Sequence, residues 1–523
     1  MKTRIVALFL SLAMLLSLCS FAIAEEPTQL TICIGRRPYD STESYSEKHW
    51  VQEVEKACNL KINWIELPEE TMKEQLSSAL INTNNLPDIF MCGNKMTDSI
   101  VSQNTGLWHV FTMDEIKQYA PTYYEVCEKY IDGWVDATTY PDGNIYSLMG
   151  SVYDSERHYS YGVLYMNYQW LKNLNLEVPA TLDDLHDVLV AFRDQDANGN
   201  GDPNDEVGIV TNTLDRYINL FSGAFGINNR GREDLCVDAD PADETKVRYV
   251  YTTEEYRKML SYLNKLYTNN LIDSNIFSLK TSSMVALGSQ NQIFGLAYHS
   301  LAAAGIDEAD YIGMDEPIQG PDGYKAWNTT DSGIYKGAFV ISANCKQPEM
   351  LVKWIDNLYT YEGSLLINFG KEGEDWHYNE QHLPTWNDYI LDQVNENTNY
   401  DLVTAQVSCY ASGNVPCWFT DETFPGAQCR GLGYETSQKL APYTNQQAWL
   451  FNFTIEEAEE VSALKADINT NCHDVWRADF IKGAKDVNDD AVWNEYVQQI
   501  ESLGLEDMMY LYQTALDRML ETK

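Results

Sequence analysis

The N-terminal third of the chain alternates short apolar segments of strand character with segments of helical spacing. The strand-like segments are Leu30–Gly35, Ile62–Leu67 and Leu86–Gly93, and helix-like segments separate them at His49–Leu60 and Glu69–Ile81. This βαβαβ order is typical of a parallel or mixed sheet that carries helices on its faces. We therefore predict the α/β class.

The length of the chain predicts more than one folding unit, because 523 residues exceed what one hydrophobic core usually organises. Strand-like segments recur at Gln292–Ser300 and Gly337–Asn344, and the region after Thr454 is mostly helical. We predict two lobes, each a mixed sheet flanked by helices, with a chain that crosses between them more than once. Lobe 1 is expected to contain residues 25–149 and 299–344, and lobe 2 residues 150–298 and 345–523, including a helix-rich C-terminal part.

Several helix starts are marked by capping residues. A capping box pairs the side chain of each end residue with the backbone N–H of the other. The candidates are Thr181-x-x-Asp184, Thr252-x-x-Glu255 and Thr454-x-x-Glu457. Pro348 suits the first position of a further helix.

The first 24 residues have the pattern of an export signal. Lys2 and Arg4 precede an apolar run, Ile5–Leu18, and alanines follow at positions 22 and 24. This pattern predicts a signal peptide over residues 1–24. The alternative is a lipoprotein with Cys19 lipidated, but the preceding Leu18 is not the small residue that such a site normally has. We expect an extracytoplasmic protein, secreted or at the cell surface, with the lipid anchor less favoured.

The charge of the chain excludes several kinds of partner. The net charge is −42, and without the signal peptide 34 basic and 78 acidic residues remain, which gives −44. Such a charge repels nucleic acid and makes polyanionic ligands unfavourable. Ten cysteines follow the signal peptide without a C-x-x-C pair or a Cys/His cluster, so zinc is not expected.

Oxygen-bearing side chains recur at alternate positions in the segment 194–206, with glycines at 199 and 201. They belong to Asp194, Asp196, Asn198, Asn200, Asp202, Asp205 and Glu206. Calcium takes six to eight oxygen ligands, and alternate residues of a turning loop can point to one centre. Two registers are open. The EF-hand register begins at Asp194 and uses Asp194, Asp196, Asn198, Gly199 and Asp205; the second begins at Asp196 and uses Asp196, Asn198, Asn200, the carbonyl of Asp202, Asp205 and Glu206. We predict a structural calcium ion in this segment.

The sequence contains none of the common catalytic motifs. There is no G-x-S-x-G, H-E-x-x-H, P-loop or G-x-G-x-x-G pattern. A glycosidase needs only two facing carboxylates, so the acidic residues leave that class open. The chain is rich in rings, with 34 Tyr and 13 Trp, and aromatic faces suit stacking on sugars. We predict ligand-binding rings beside turns with polar neighbours, at Tyr39, Trp327, Trp376 and Trp418.

Several segments resemble extracellular solute-binding proteins of ABC importers, family 1, in the carbohydrate-binding branch. They include LPDIF at Leu86–Phe90, the block Leu164–Leu185, the loop Asp196–Glu206 and the segment Cys345–Leu366. Within that branch, the chain resembles alginate-oligosaccharide-binding proteins and related Gram-positive lipoproteins. It implies a two-lobed periplasmic-binding-protein-like fold of type II.

The resemblance also implies a function and a set of calcium ligands. A protein of this family captures an oligosaccharide in a cleft between its lobes, as a monomer, and delivers it to the permease subunits of an ABC importer. The family's calcium loop falls on Asp196, Asn198, Asn200, the Asp202 carbonyl, Asp205 and Glu206, with Asn204 as one extra residue. The family's Arg-x-Asp is replaced here by the residues 167–169, Asn-Tyr-Gln.

We therefore predict a binding protein rather than an enzyme. Two alternatives remain: a secreted glycoside hydrolase, and a stand-alone protein that captures or senses glycans without a transporter.

Overall fold

A computed structural model gives the structure of the protein. It describes residues 26–521 apart from 37–39, 41, 69–70, 81–82, 132, 154–162, 203, 229–234, 279–280, 299–300, 302–303, 329–335, 397–403, 405, 410–415, 421–422, 424–431, 445–448, 450 and 452. Within these ranges, no helix combines the length and the apolar character that crossing a bilayer requires. The predicted signal peptide and Cys19 lie outside the described residues.

Strands and helices alternate along most of the chain, and helices dominate its C-terminal part. The strands are β1 Thr28–Arg36, β2 Leu60–Pro68, β3 Ile89–Met91, β4 Val152–Tyr153, β5 Val163–Asn167, β6 Val207–Val210, β7 Val237–Asp240, β8 Asp243–Tyr249, β9 Ile293–Tyr298, β10 Tyr311–Gly313, β11 Val340–Ile341, β12 Trp376–Tyr378, β13 Pro384–Trp386 and β14 Trp418–Phe419. The α-helices are α1 His49–Cys58, α2 Met72–Ala79, α3 Asp98–Ser102, α4 Met113–Tyr119, α5 Pro121–Tyr130, α6 Trp134–Thr138, α7 Tyr168–Asn173, α8 Leu182–Asp194, α9 Leu214–Ser222, α10 Glu254–Thr268, α11 Thr281–Ser289, α12 Pro348–Asp356, α13 Tyr361–Phe369, α14 Asp388–Glu396, α15 Leu432–Leu440, α16 Ile455–Lys465, α17 Asp474–Lys482, α18 Asp490–Ser502 and α19 Leu505–Glu521.

The chain folds into two compact units. Unit 1 contains Met1–Glu156 and Gly333–Cys429, and unit 2 contains Arg157–Ser332 and Arg430–Lys523. Each unit has a mixed four-stranded sheet. In unit 1 the strand order is β11-β3-β1-β2, with β1 parallel to β2 and β3 and β11 antiparallel to β3. In unit 2 it is β10-β5-β9-β6, where only the pair β6 and β9 is parallel. The predicted α/β class is confirmed.

The largest hydrophobic core lies in unit 2. It joins the apolar faces of α8, α9 and α10 to β5, β6 and β9 and continues into α17, α18 and α19. The C-terminal helices reach it because α10 packs against α17 and α19 packs against β8. Unit 1 has separate smaller cores, one between its sheet and α2 and one around the hairpin of β12 and β13.

The division into units differs from the predicted lobes at residues 150–156, which belong to unit 1, and in two longer segments. Residues 345–429 belong to unit 1, because β14 pairs with β4 and α12 packs on α4 and α5. Residues 299–332 belong to unit 2, because β10 pairs with β5. Both assignments depend on pairings between distant parts of the chain, for which the local sequence pattern carries no signal.

The helix starts predicted from local sequence lie at or within one residue of those in the structure. Helix α8 has Thr181 as its N-cap, with both bonds of the capping box to Asp184, and α16 has the same arrangement at Thr454. Pro348 opens α12 as predicted. The third capping box is a correction: Thr253, not Thr252, caps α10, because Thr252 ends a short 3₁₀ turn.

A π-helix, Ala466–His473, connects α16 to α17 and buries His473 in the core of unit 2. The imidazole stacks on Tyr251 with ring centroids 3.8 Å apart. Its Nε2 lies 2.9 Å from Tyr256 Oη, and its Nδ1 lies 3.2 Å from Asp474 Oδ1. Burial lowers the pKa of His473 to about 4, although Asp474 opposes this shift and Arg477 reinforces it.

We expect His473 to make the stability of the protein fall with acidification. An unfolded histidine titrates near pH 6.5, so between about pH 6.5 and pH 4 the unfolded chain binds a proton that the folded chain does not. This pKa difference corresponds to about 3 kcal/mol lost from the free energy of unfolding across that interval. Urea unfolding at several pH values should show a flatter pH dependence for His473→Gln than for the wild type.

The control is His377→Gln, which replaces an exposed histidine and is measured beside His473→Gln at each pH. Parallel curves for the wild type and His473→Gln would contradict the assignment.

Candidate metal loop and ligand-binding side chains

The oxygen-rich segment connects helix α8 to strand β6 and folds back on itself through its own side chains. Asp196 accepts hydrogen bonds from the backbone N–H groups of Asn200, at 3.1 Å, and Gly201, at 2.9 Å. Gly199 and Gly201 have φ angles of +74° and +94°, which favour glycine and allow the tight turns. Asn198 Oδ1 accepts from the N–H of Asn200 at 2.9 Å.

The end of the loop brings two acids back to its beginning. Asp205 accepts hydrogen bonds from the amides of Asn198 and Asn200, at 3.1 and 2.7 Å. A third donor is Gln292 Nε2 at 3.0 Å, which precedes β9. Burial raises the pKa of Asp205, but these amide bonds outweigh burial and leave it lowered. Sequence reasoning missed Gln292, because only the pairing of β6 with β9 brings it there.

Glu206 is the acid whose surroundings fit a cation best. Its Oε1 accepts from the N–H groups of Ala197 and Asn198, at 2.7 and 3.4 Å. Its Oε2 is buried and has no hydrogen-bond partner among the described residues. Burial raises the pKa of this carboxyl. A hard cation that prefers oxygen ligands would satisfy such an oxygen.

The donor set is mixed rather than purely acidic. Among the described residues, no three His, Cys, Asp or Glu side chains are grouped as metal ligands, so amide and backbone oxygens would have to complete a site. Asp194 ends α8 and pairs with the guanidinium of Arg193 at 2.7 Å, which favours the register that begins at Asp196. Asp202 Oδ1 accepts a hydrogen bond from the N–H of Asn204, so the backbone carbonyl of Asp202 is its remaining candidate metal ligand.

The four predicted ligand-binding rings have different surroundings, and Tyr39 lies outside the described residues. Trp376 is 3% exposed and belongs to the core around the β12–β13 hairpin, against Phe369 and Trp386. Its indole N–H already donates to the carbonyl of Gly370 at 3.1 Å. These contacts are those of a core residue, and they correct the expectation of an open stacking face at Trp376.

Trp327 and Trp418 keep an unused polar group. The backbone N–H of Trp327 donates to the carbonyl of Tyr443 at 3.0 Å, and the ring is 3% exposed and belongs to the core of unit 2. Trp418 is half-buried and stacks on Tyr130 with centroids 6.0 Å apart. Within the described part of the chain, neither indole N–H has a hydrogen-bond partner. The buried indoles of four other tryptophans share this feature, so it does not mark a site by itself.

A charged cluster at the carboxyl end of β1 was not predicted. Arg36, the last residue of β1, donates to Glu66 at 2.5 Å. The Lys48 ammonium lies 2.9 Å from Asp40 and 4.7 Å from the Tyr45 ring centroid, and both charged side chains are almost fully buried. Burial lowers the pKa of Lys48, and the attraction of Asp40 opposes that shift. The partners lie close in sequence, but no motif distinguished them from ordinary surface charges.

We expect Lys48→Met to destabilise unit 1 by about 3 kcal/mol, because it removes the cation nearest the buried Asp40 and leaves only Arg36, at 3.9 Å. Adding Asp40→Asn should recover part of the loss. Chemical unfolding monitored by circular dichroism measures both effects. The matched control is Lys258→Met, which removes an exposed pair with Asp322 of similar length, 2.7 Å, and should cost less than about 1 kcal/mol. Equal losses for Lys48→Met and Lys258→Met would rule out a special role for the buried pair.

Comparison with known proteins places these features in a family. Residues 39–364 match the model of the bacterial extracellular solute-binding protein family. A relative from Streptococcus pneumoniae serotype 4 (strain ATCC BAA-334 / TIGR4), the fructooligosaccharide ABC transporter substrate-binding protein FusA, is 26% identical over 508 residues, which cover 90% of this chain and 87% of the relative.

Two solved structures share the fold. One is FusA of S. pneumoniae as an EF-hand mutant in complex with fructo-nystose, with a TM-score of 0.76 and 22% identity over 95% of this chain and 100% of the other. The second is the alginate-binding protein AlgQ2 without calcium ion, with a TM-score of 0.72 and 21% identity over 95% and 99% of the two chains. The predicted two-lobed solute-binding fold is confirmed.

Proposed function

This chain belongs to the bacterial extracellular solute-binding protein family, and we propose that it captures a neutral oligosaccharide outside the cytoplasm and delivers it to the permease subunits of an ABC importer. The family match over residues 39–364 carries this proposal. The carbohydrate class is supported by FusA and AlgQ2, one named for fructooligosaccharides and the other for alginate. The charge of −42 favours a neutral glycan over an acidic one, because a polyanion would be repelled.

We propose that the protein binds its ligand without catalysing a reaction. We also propose that it acts as a monomer and that nucleic acid is not a partner. A glycosidase needs a carboxyl of raised pKa as its general acid. Burial raises the pKa of Asp356 to about 6, but its carboxylate is already engaged. It accepts hydrogen bonds from the N–H of Tyr123, at 2.7 Å, and from the hydroxyl of Thr122, at 3.0 Å, in the first turn of α5. Asp356 therefore stabilises the N-terminal turn of α5 from the end of α12.

For localisation, we propose export by a signal peptide over residues 1–24, with free secretion favoured over a lipid anchor at Cys19. Mass spectrometry of the mature N-terminus tests this directly. A free N-terminus at residue 25 supports secretion, and a diacylated Cys19 would replace it with surface anchoring.

Trp327 and Trp418 are the rings that we propose to bind the sugar. Replacement of either by leucine keeps apolar bulk but removes the flat face and the indole N–H. Each variant should lose on the order of 1–3 kcal/mol of binding free energy, comparable with burying one large apolar side chain. Calorimetric titration with fructo-nystose, maltotetraose, cellotetraose and trigalacturonate measures the loss and the ligand class.

Trp376→Leu is the control for the ring variants, because its indole N–H already donates to the carbonyl of Gly370, whereas those of Trp327 and Trp418 have no partner among the described residues. It should lower the melting temperature while the molecules that remain folded bind as the wild type does. Wild-type affinity in both Trp327→Leu and Trp418→Leu would place the sugar elsewhere. Binding of trigalacturonate alone would overturn the neutral class.

We also propose that the loop after α8 binds one structural calcium ion through Asp196, Asn198, Asn200, the Asp202 carbonyl, Asp205 and Glu206. Bound there, the ion supplies positive charge to the carboxylates and joins the end of α8 to the start of β6. The solved FusA structure is that of an EF-hand mutant, and the AlgQ2 structure is one without calcium ion; both support a calcium loop in this chain. The unpartnered Glu206 Oε2 supports a cation in this chain.

Chelation should lower the melting temperature of the wild type, because a ligand at 100 times its dissociation constant contributes about 2.7 kcal/mol. Asp196→Ala should melt at a lower temperature and no longer respond to chelator. Asp194→Ala should respond as the wild type does, since Asp194 pairs with Arg193 outside the proposed ligand set. Elemental analysis should find one calcium per wild-type chain. A chain without calcium and indifferent to chelator would contradict this proposal.

A further inference from the structure

Buried polar oxygens without a partner occur together at one edge of the unit 2 sheet. Thr211 Oγ1, Asn212 Oδ1 and Asp273 Oδ2 are all buried, and none has a hydrogen-bond partner among the described residues. The Thr211 residue is only 1% exposed and Asp273 only 5%. Leaving such groups unpaired costs folding free energy. A bound molecule that supplies the missing hydrogen bonds would offset this cost.

The fold brings the three residues to the same place. Strand β6 leads directly into Thr211 and Asn212, and residues 271–273 run beside it through a parallel bridge between Ile209 and Ile272. The N–H of Asp273 donates to the carbonyl of Ile209 at 3.4 Å. Because parallel strands end at a common edge, Thr211, Asn212 and Asp273 leave the sheet together.

A glycine permits this close approach. A Cβ atom on Gly208 would lie 1.9 Å from the carbonyl oxygen of Leu271, so any larger residue would push the 271–273 segment away from β6. The hydroxyl of Tyr217 donates to Ile209 O at 2.6 Å, which further fixes the end of the strand. The unpartnered oxygens therefore sit on a rigid part of unit 2.

The chemistry of the three groups favours a ligand with several hydroxyls. Asn212 Oδ1 and Asp273 Oδ2 accept hydrogen bonds, while the Thr211 hydroxyl both donates and accepts. Neighbouring hydroxyls of a sugar ring can satisfy all of them, whereas the Asp273 carboxylate would repel an anionic group. In open α/β sheets, ligands bind outside the carboxyl ends of the strands.

We propose that Thr211, Asn212 and Asp273 form a subsite that binds adjacent hydroxyl groups of a neutral sugar. This proposal rests on the proposed function and adds the residues that form hydrogen bonds with the sugar hydroxyls. The competing explanation is a permanently bound water that completes the same hydrogen bonds, which would give these residues a structural role only.

Thr211→Val separates the two explanations, because it removes the hydroxyl and keeps the shape. Under the proposal, the affinity for fructo-nystose, maltotetraose or cellotetraose falls about tenfold, as expected for one lost hydrogen bond. The melting temperature without sugar stays equal or rises, because the hydroxyl has no hydrogen-bond partner in the described part of the chain. Thr211→Ser keeps the hydroxyl and should bind within a few-fold of the wild type.

Thr436→Val is the matched control. Thr436 is also 1% exposed and lies in unit 2, but its hydroxyl donates to the carbonyl of Leu432 at 2.5 Å. Its affinity should equal that of the wild type. Asp273→Asn tests the second residue: it keeps an oxygen for the N–H of Asn275, which Asp273 Oδ1 accepts at 2.8 Å, and should weaken binding at least tenfold.

The outcomes of these experiments distinguish a sugar subsite from a structural role. Wild-type affinity in both Thr211→Val and Asp273→Asn overturns the subsite and leaves the proposed function intact. A lower melting temperature for Thr211→Val with unchanged affinity assigns the hydroxyl to a structural water and also overturns it. If the wild type binds none of the three neutral glycans, the neutral-oligosaccharide function fails, and the subsite fails with it.

Discussion

The parallel pairing of β6 with β9 is the constraint on which the features of unit 2 depend. It aligns Val207 with Ile293 and Val210 with Leu296. At its start, the pairing brings Gln292 to Asp205 and so closes the oxygen-rich loop. At its end, it carries Thr211 to the carboxyl edge. Strand β6 has four residues, about 13 Å of extended chain, so the loop and the edge are held at opposite ends of one short rigid element.

Elements with local signals could be predicted from the sequence, and elements made by distant pairing could not. The N-cap of α8 and the start of α12 were predictable because Thr181 and Pro348 act within one helical turn. The same logic failed by one residue at α10, where Thr252 and Thr253 both offer a hydroxyl and the preceding 3₁₀ turn selects the second. The placement of residues 345–429 needed the pairing of β4 with β14, which periodicity does not encode.

The candidate site could be proposed from the sequence where its residues are consecutive. Alternate oxygens and turn glycines identified the loop, but they could not choose between its two registers. The pairing of Asp194 with Arg193 favours one of them, and that contact depends on where α8 ends. Aromatic content was a weaker guide, since Trp376 fills a core. The proposed subsite of Thr211 and Asp273 had no sequence signal. Threonine and aspartate are common in loops, and only the structure shows which of their oxygens lack hydrogen-bond partners among the described residues.

The position of the loop explains why a cation would stabilise it. The carboxyl end of a helix carries a partial negative charge, and Asp196 follows the end of α8 by two residues. Asp205 and Glu206 return to the same place, in a chain already at −42. Amide and backbone N–H groups offset part of this charge, and three side-chain amides donate hydrogen bonds to Asp205. Among the described residues, Glu206 Oε2 has no donor, so these N–H groups do not complete the charge balance. In the proposed calcium site, a divalent cation would complete it through contacts to Glu206 Oε2 and the other loop oxygens. The ion would then hold the start of β6, the strand that pairs with β9.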